Sequence, residues 1–182
     1  MALKTFHRGV ADLKFATWNS EGSYGTAYDV LGVRNFSMTL EIESDQVEGD
    51  DAVLDRFSKV IAANFTFEQA AVDLEVVQMM TGNTLVSNAS YEDLTFEENS
   101  MPYLAVAVKV ESSSGGKDLH IFLPKCKVSG NLNLQAGYGQ YMLPSADFQA
   151  VKEGDTNGIG HARKFAASTA LEIPLRTTTG SS

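Results

Sequence analysis

Histidines, cysteines and clustered carboxylates are the side chains most able to do chemistry, and here they are scattered. The three histidines are His7, His120 and His161. None stands in an HxH, HxxH or HExxH spacing, which would bring two imidazoles to one metal ion. A lone strand histidine such as His120 therefore reads as structural or solvent-facing. Cys126 is the single cysteine; without a CxxC partner it reads as a small buried hydrophobe. No GxSxG elbow, P-loop or GxGxxG fingerprint occurs. Gly137-Tyr138-Gly139 echoes a glycine-rich loop but lacks the preceding parallel strand and following helix that a nucleotide fold requires. The densest titratable feature is acidic: Glu41, Glu43, Asp45, Glu48, Asp50, Asp51 and Asp55, in a stretch without Lys or Arg. A calcium loop needs acids at alternating positions, a glycine at the sixth and a glutamate at the twelfth, and this run lacks them. It suits a solvated loop, a surface for a basic partner, or a wall that repels a polyanion. A metal held by Glu48, Asp50 and Asp51, or a sugar held by Tyr138 and Tyr141, would make the chain a ligand-binding β-barrel or an enzyme. The carboxylates have neither a matching histidine nor a fixed ligand spacing. The expectation is a protein with no catalytic step, no metal and no cofactor.

Composition narrows the class. The 182 residues are 43% hydrophobic and 20% charged, the profile of one globular domain spanning residues 1–182. A chain of this length buries roughly two-thirds of its unfolded surface and needs no disulfide or metal staple. Fourteen basic against 23 acidic residues give a net charge of −9. That argues against a sequence-reading nucleic-acid binder, which must neutralise phosphates with Lys and Arg. No run of about 20 apolar residues is present, so no membrane span is expected. Lys4, His7 and Arg8 lie in Met1–Val10 with no apolar stretch behind them, unlike a secretory signal. These features predict a soluble intracellular protein, in which the sequons at Asn35, Asn64 and Asn88 carry no weight. Residues 177–182 read as a flexible polar tail.

The elements that must position these residues repeat with a period of two. Phe36, Met38, Leu40 and Ile42 alternate with polar neighbours, the pattern of a half-buried strand. Ile61, Ala63, Phe65 and Phe67 form a second such run; Leu104, Val106, Val108 and Val110 a third; Leu119, Ile121 and Leu123 a fourth; Phe165 to Ile173 a fifth. Residues 13–17 and 147–151 are weaker candidates. Ser112 to Gly116 predicts a hairpin, and Asn157-Gly158 a turn before the last strand. One helix is expected over about residues 68–81. Ala70, Leu74, Val77 and Met80 recur at helical spacing, Thr66 and Gln69 match a capping box, and Gly82 is the stop. Leu74, Val77 and Met80 should pack against a sheet. Residues 18–33, 44–56 and 127–146 lack a clear period and are expected as long loops used for contacts. The fold class expected from this pattern is mainly β: a sandwich or barrel of short strands, with one helix.

Segments between Ala16 and Gly82 resemble the major tail tube proteins of long, non-contractile-tailed bacteriophages. Residues 16–33, Ala-Thr-Trp-Asn-Ser-Glu-Gly-Ser-Tyr-Gly-Thr-Ala-Tyr-Asp-Val-Leu-Gly-Val, are similar to their opening strand, turn and Val-x-Gly-Val step. An alternating strand follows, then Glu48-Gly49-Asp50-Asp51, an Ala/Phe/Thr strand and the helical segment ending on Gly82. Residues 121–128, Ile-Phe-Leu-Pro-Lys-Cys-Lys-Val, resemble the family's Leu-Pro-Lys-x-Lys segment. The match covers the first half of the chain and parts of the second; residues 131–141 fall outside it.

The resemblance implies a two-sheet antiparallel β-sandwich/barrel flanked by one helix, in a structural virion protein that self-assembles into hexameric rings stacked as a tube, the conduit for DNA ejection. Its partners would be copies of itself and the tape-measure, tail-terminator and distal tail proteins, with non-specific passage of genomic DNA. It would reside in the virion tail, and in the host cytoplasm during assembly. Asp45, Glu48, Gly49, Asp50 and Asp51 would form an inter-subunit assembly loop. Ser37, Thr39, Glu41, Ala62, Asn64 and Thr66 would face the lumen, where acidic charge lets DNA slide. A tail-terminator or another ring-forming tube protein is the alternative of the same class, and a ligand-binding β-barrel the alternative of another.

Overall fold

The computed structural model describes residues 7–49, 52–113, 115–135, 138, 143–154 and 158–175. Among these described residues, eleven strands and one helix follow in chain order: β1 (His7–Ser20), β2 (Ser23–Tyr24), β3 (Tyr28–Asp29), β4 (Val33–Gly49), β5 (Ala52–Gln69), α1 (Leu74–Thr81), β6 (Leu85–Ser87), β7 (Glu92–Leu94), β8 (Leu104–Ser112), β9 (Lys117–Gln135), β10 (Leu143–Ala150) and β11 (His161–Ala166). The chain is mainly β, as its period of two predicts. Nine strands form one antiparallel sheet in the order β2-β1-β8-β9-β10-β5-β4, with β11 added to β9 and β3 to β1; β6 and β7 make a small second sheet. Neither sheet closes on itself among the described residues.

The large sheet is strongly curled. β1 and β5 stand four strand positions apart, which in a flat sheet is roughly 19 Å. Yet the Phe15 ring on β1 meets Phe67 on β5 at 5.4 Å and Phe148 on β10 at 5.8 Å. Phe148 also stacks on Phe65 at 4.9 Å and 7°. These rings, with Leu13, Leu104, Val106 and Cys126, form the main core. A smaller cluster lies on the opposite face, where Leu171 and Leu175 cover Ala16, Ala105, Ala107 and Phe122.

The helix is shorter than its spacing predicts. β5 stays extended to Gln69, whose side chain donates to the Leu31 carbonyl at 2.9 Å. Thr66 donates to Asp147 instead of capping anything. The N-cap is Asp73, whose Oδ1 accepts from the amides of Glu75 and Val76; its other oxygen accepts from Tyr28 Oη at 2.7 Å. Val77 and Met80 are fully buried in the main core, and Leu74 is half-buried against it. Gly82 ends the helix at φ +72, its amide bonded to the Gln78 carbonyl. A Cβ there would sit 3.1 Å from Pro102 Cδ. Gly82→Ala should therefore lower unfolding free energy by about 1–2 kcal/mol in urea titration, from left-handed strain plus that contact.

Two further expectations are corrected. Residues 44–49, 52–56, 127–135 and 143–146 are strand rather than loop, and 18–33 contributes β2 and β3. The last strand ends at Ala166, and residues 167–175 turn back as a strap instead of running on to Ile173. The Ser112–Gly116 connection does join β8 to β9 as a hairpin. Gly158 has φ +59, while Asn157 lies outside the described residues.

Candidate functional site

β4 and β5 pair along their whole length, and this register builds the candidate surface. Ser37 stands opposite Thr66, Thr39 opposite Asn64, and Glu41 opposite Ala62. The alternation of the two strands thus brings all six candidate lumen residues to one face. β10 extends the rows: Asp147 lies opposite Thr66 and Gln149 opposite Asn64. Thr66 Oγ1 donates to Asp147 Oδ1 at 2.7 Å. Asn64 Nδ2 and Gln149 Nε2 both donate to Glu41 Oε2 at 3.3 Å. Ser37, Thr39, Glu41 and Asn64 are exposed and Thr66 is half-buried; Ala62 is buried. Further along, Glu43 pairs with Lys59 at 2.8 Å, and Asp45 stands opposite Phe57. That ion pair is more than half exposed on both sides, so its contribution is below about 1 kcal/mol.

The face is polar but poor in lysine where β4 and β5 form it, and acidic toward the far end. Asp45 is exposed on β4. Glu48 and Gly49 continue the β4 strand opposite Val53 and Ala52, so part of the expected assembly loop is strand. Asp50 and Asp51 lie outside the described residues.

Across β10 on the same face, where Lys127 stands opposite Gln149, lies a basic and aromatic cluster that sequence reasoning missed. Lys125 Nζ lies 4.3 Å from the Trp18 ring centroid and 4.7 Å from that of Tyr103; Lys127 lies 5.3 Å from Tyr103. Trp18 Nε1 donates to Glu153 Oε1 at 2.7 Å, and Tyr24 Oη donates to both Glu153 oxygens at 2.9 Å. Burial, then the bond to Glu153, pushes the Tyr24 hydroxyl well above the usual tyrosine range. The alternation Lys125-Cys126-Lys127 was the available signal for two lysines on one side.

β4 is the last strand of the large sheet, and its outer edge pairs with no described strand. Residues 41–49 and 52–61 form a two-stranded arm beyond the end of β10. Apolar side chains at its base and along it are open to solvent: Leu40 is 49% exposed, Ile42 62%, Phe57 62% and Val60 43%. Between the arm and β11 lies an apolar groove of about 330 Å³, lined by Leu40, Val60, Ala63, Ile121, Leu123 and Ile159 among others.

No group of three or more His, Cys, Asp or Glu able to hold a metal occurs among the described residues. His120 is buried against Phe165 at 4.8 Å, and burial, then nearby Lys109, holds its imidazole below the ordinary value. Cys126 is buried in the core, which pushes its thiol well up. No helix among the described residues is long and apolar enough to cross a membrane. The chain matches no known protein family and no curated protein.

Proposed function

We propose that this chain is a structural subunit that assembles with copies of itself into rings, and that the rings stack into a tube of the phage-tail kind. The observation that carries this reading is the arm. A lone two-stranded ribbon is marginal in water, and an open strand edge with exposed apolar side chains is a pairing template that monomeric proteins blunt. β4 has a charged outer row but keeps an apolar row, Leu40 and Ile42, in solvent. Pairing between subunits removes that liability. In this reading the curled sheet becomes part of a closed barrel only in the ring, and the polar face of β4, β5 and β10 lines its lumen. Glu41, Glu43 and Asp45 there repel phosphates, so a polyanion slides past instead of binding. The resemblance of residues 16–82 to tail tube proteins supports the same reading, with hexameric rings and tail proteins as partners.

Sedimentation velocity over a concentration series, with negative-stain microscopy, tests it. Rings or tubes are the expected result; a monomer at every concentration overturns it. Tubes separate a tube subunit from a terminator, which stops at single rings. Ile42→Asp should abolish assembly while changing monomer stability by less than about 0.5 kcal/mol, because Ile42 is already exposed.

A further inference from the structure

β10 and β11 occupy the same edge of β9 in succession. β10 pairs with β9 from Gln135 to Cys126, and β11 pairs with it from Phe122 to Lys117. β5 follows β10 from Glu68 to Ala63 and then runs on with β4 alone. Its far half passes β11 without pairing, and the apolar groove fills the gap. β11 therefore has an open edge facing that groove. Among the described strands of the large sheet, stretches of β1, β5 and β9 pair on one side only, and β4 and β11 do so along their whole length.

From these two edges we infer that β4 of one copy adds to the open edge of β11 in the next copy; this rests on the ring reading above. Charge decides the pairing. Laying β4 against β4 of a second copy sets Glu41, Glu43 and Asp45 against the same acids, and like charges across a strand pair destabilise it. β11 instead carries Arg163 and Lys164 and no acid. Both faces also match. Arg163 stands opposite His120 and Phe165 opposite Asp118, and Phe165 belongs to the cluster on the polar-face side of the sheet. Arg163 thus shares a side with Glu41, Glu43 and Asp45. Ala162 stands opposite Ile121, on the groove side. In a continuous sheet, Leu40 and Ile42 of the incoming strand then fall over the groove. A joint between two different edges is heterologous and leaves a further β4 and β11 free at each step, so it propagates past the dimer and closes into a ring where the rotation per step divides a full turn.

The test is charge reversal read by sedimentation. Glu41→Lys with Glu43→Lys, and separately Arg163→Glu with Lys164→Glu, should each weaken association about tenfold or more. Combining all four should restore it. Arg163→Gln serves if Arg163→Glu alters the melting temperature. Glu43→Cys with Arg163→Cys in one chain should oxidise to a ladder of covalent species beyond the dimer. Assembled wild type that ignores every reversal, or a ladder that stops at two, overturns the edge assignment while leaving the ring intact. A wild type that never assembles overturns the ring reading itself.

Discussion

Phe148→Ala is expected to lower the unfolding free energy by about 3–5 kcal/mol, the range for truncating a buried phenylalanine. Phe148 is 1% exposed and sits where the curled sheet meets itself. Its ring stacks on Phe65 and touches Phe15 and Phe67. Removing it opens a cavity bordered by three rings from β1 and β5, which cannot relax inward without uncurling the sheet. Aromatic pairs add about 0.5–1.5 kcal/mol each beyond area burial, which favours the upper part of the range. Urea titration at neutral pH measures the loss. Phe57→Ala is the control: an exposed arm residue should change stability by less than about 0.5 kcal/mol. Equal losses at both positions would show that the core is misplaced.

Lys109→Met should cost about 3 kcal/mol, with an unusual pH dependence. Lys109 Nζ lies 3.2 Å from Asp118 Oδ2 and donates to the carbonyls of Ala167 and Thr169 in the strap. Asp118 Oδ1 accepts from the Ser112 amide at 2.9 Å. Burial would raise the Asp118 carboxyl, but the Ser112 amide and the Lys109 ammonium outweigh it and hold the group below the ordinary carboxylate value. A lowered carboxyl contributes stability above its unfolded value, near 4, and loses it as pH falls through the folded value. Removing the ammonium strands a buried carboxylate, which is where the cost arises. Burial then dominates, the folded value rises above the unfolded one, and protonation favours the fold. His120 shifts in the same direction, because Lys109 is one of the influences lowering it. The deficit of Lys109→Met relative to wild type should therefore shrink between pH 7 and about pH 3.5. A deficit that grows in acid would sink this account of the pair.

The sequence showed the strands that face the core, because burial on one face imposes a period. Ala63, Phe65 and Phe67 are buried while Asn64 is exposed and Thr66 half-buried, and that stretch alternates for this reason; Phe36 to Ile42 keeps an apolar row although Met38, Leu40 and Ile42 stay exposed. The arm was illegible: residues 44–46 and 55–61 are exposed on both faces, so no burial difference writes a pattern, and polar strand reads as loop. The helix start was misread because Ala70 lies at a spacing that fits a helix, whereas the tertiary bonds of Thr66 and Gln69 hold β5 extended. Leu171 continued the strand alternation by coincidence, and its burial is in the strap. Of the candidate surface, the six small and polar positions were legible from alternation alone. The Trp18–Glu153 contact joins residues 135 apart, a distance no local pattern spans.

The strand order also dictates when the chain can become itself. β4 and β5 are neighbours in sequence and can zip locally, within microseconds for a hairpin. Their apolar sides wait for β10, and β1 waits for β8, about half a chain length later. During synthesis the sticky ribbon is therefore made long before it is sheltered. In crowded polysomes such unfinished ribbons lie close together, and the like charges along β4 oppose their pairing.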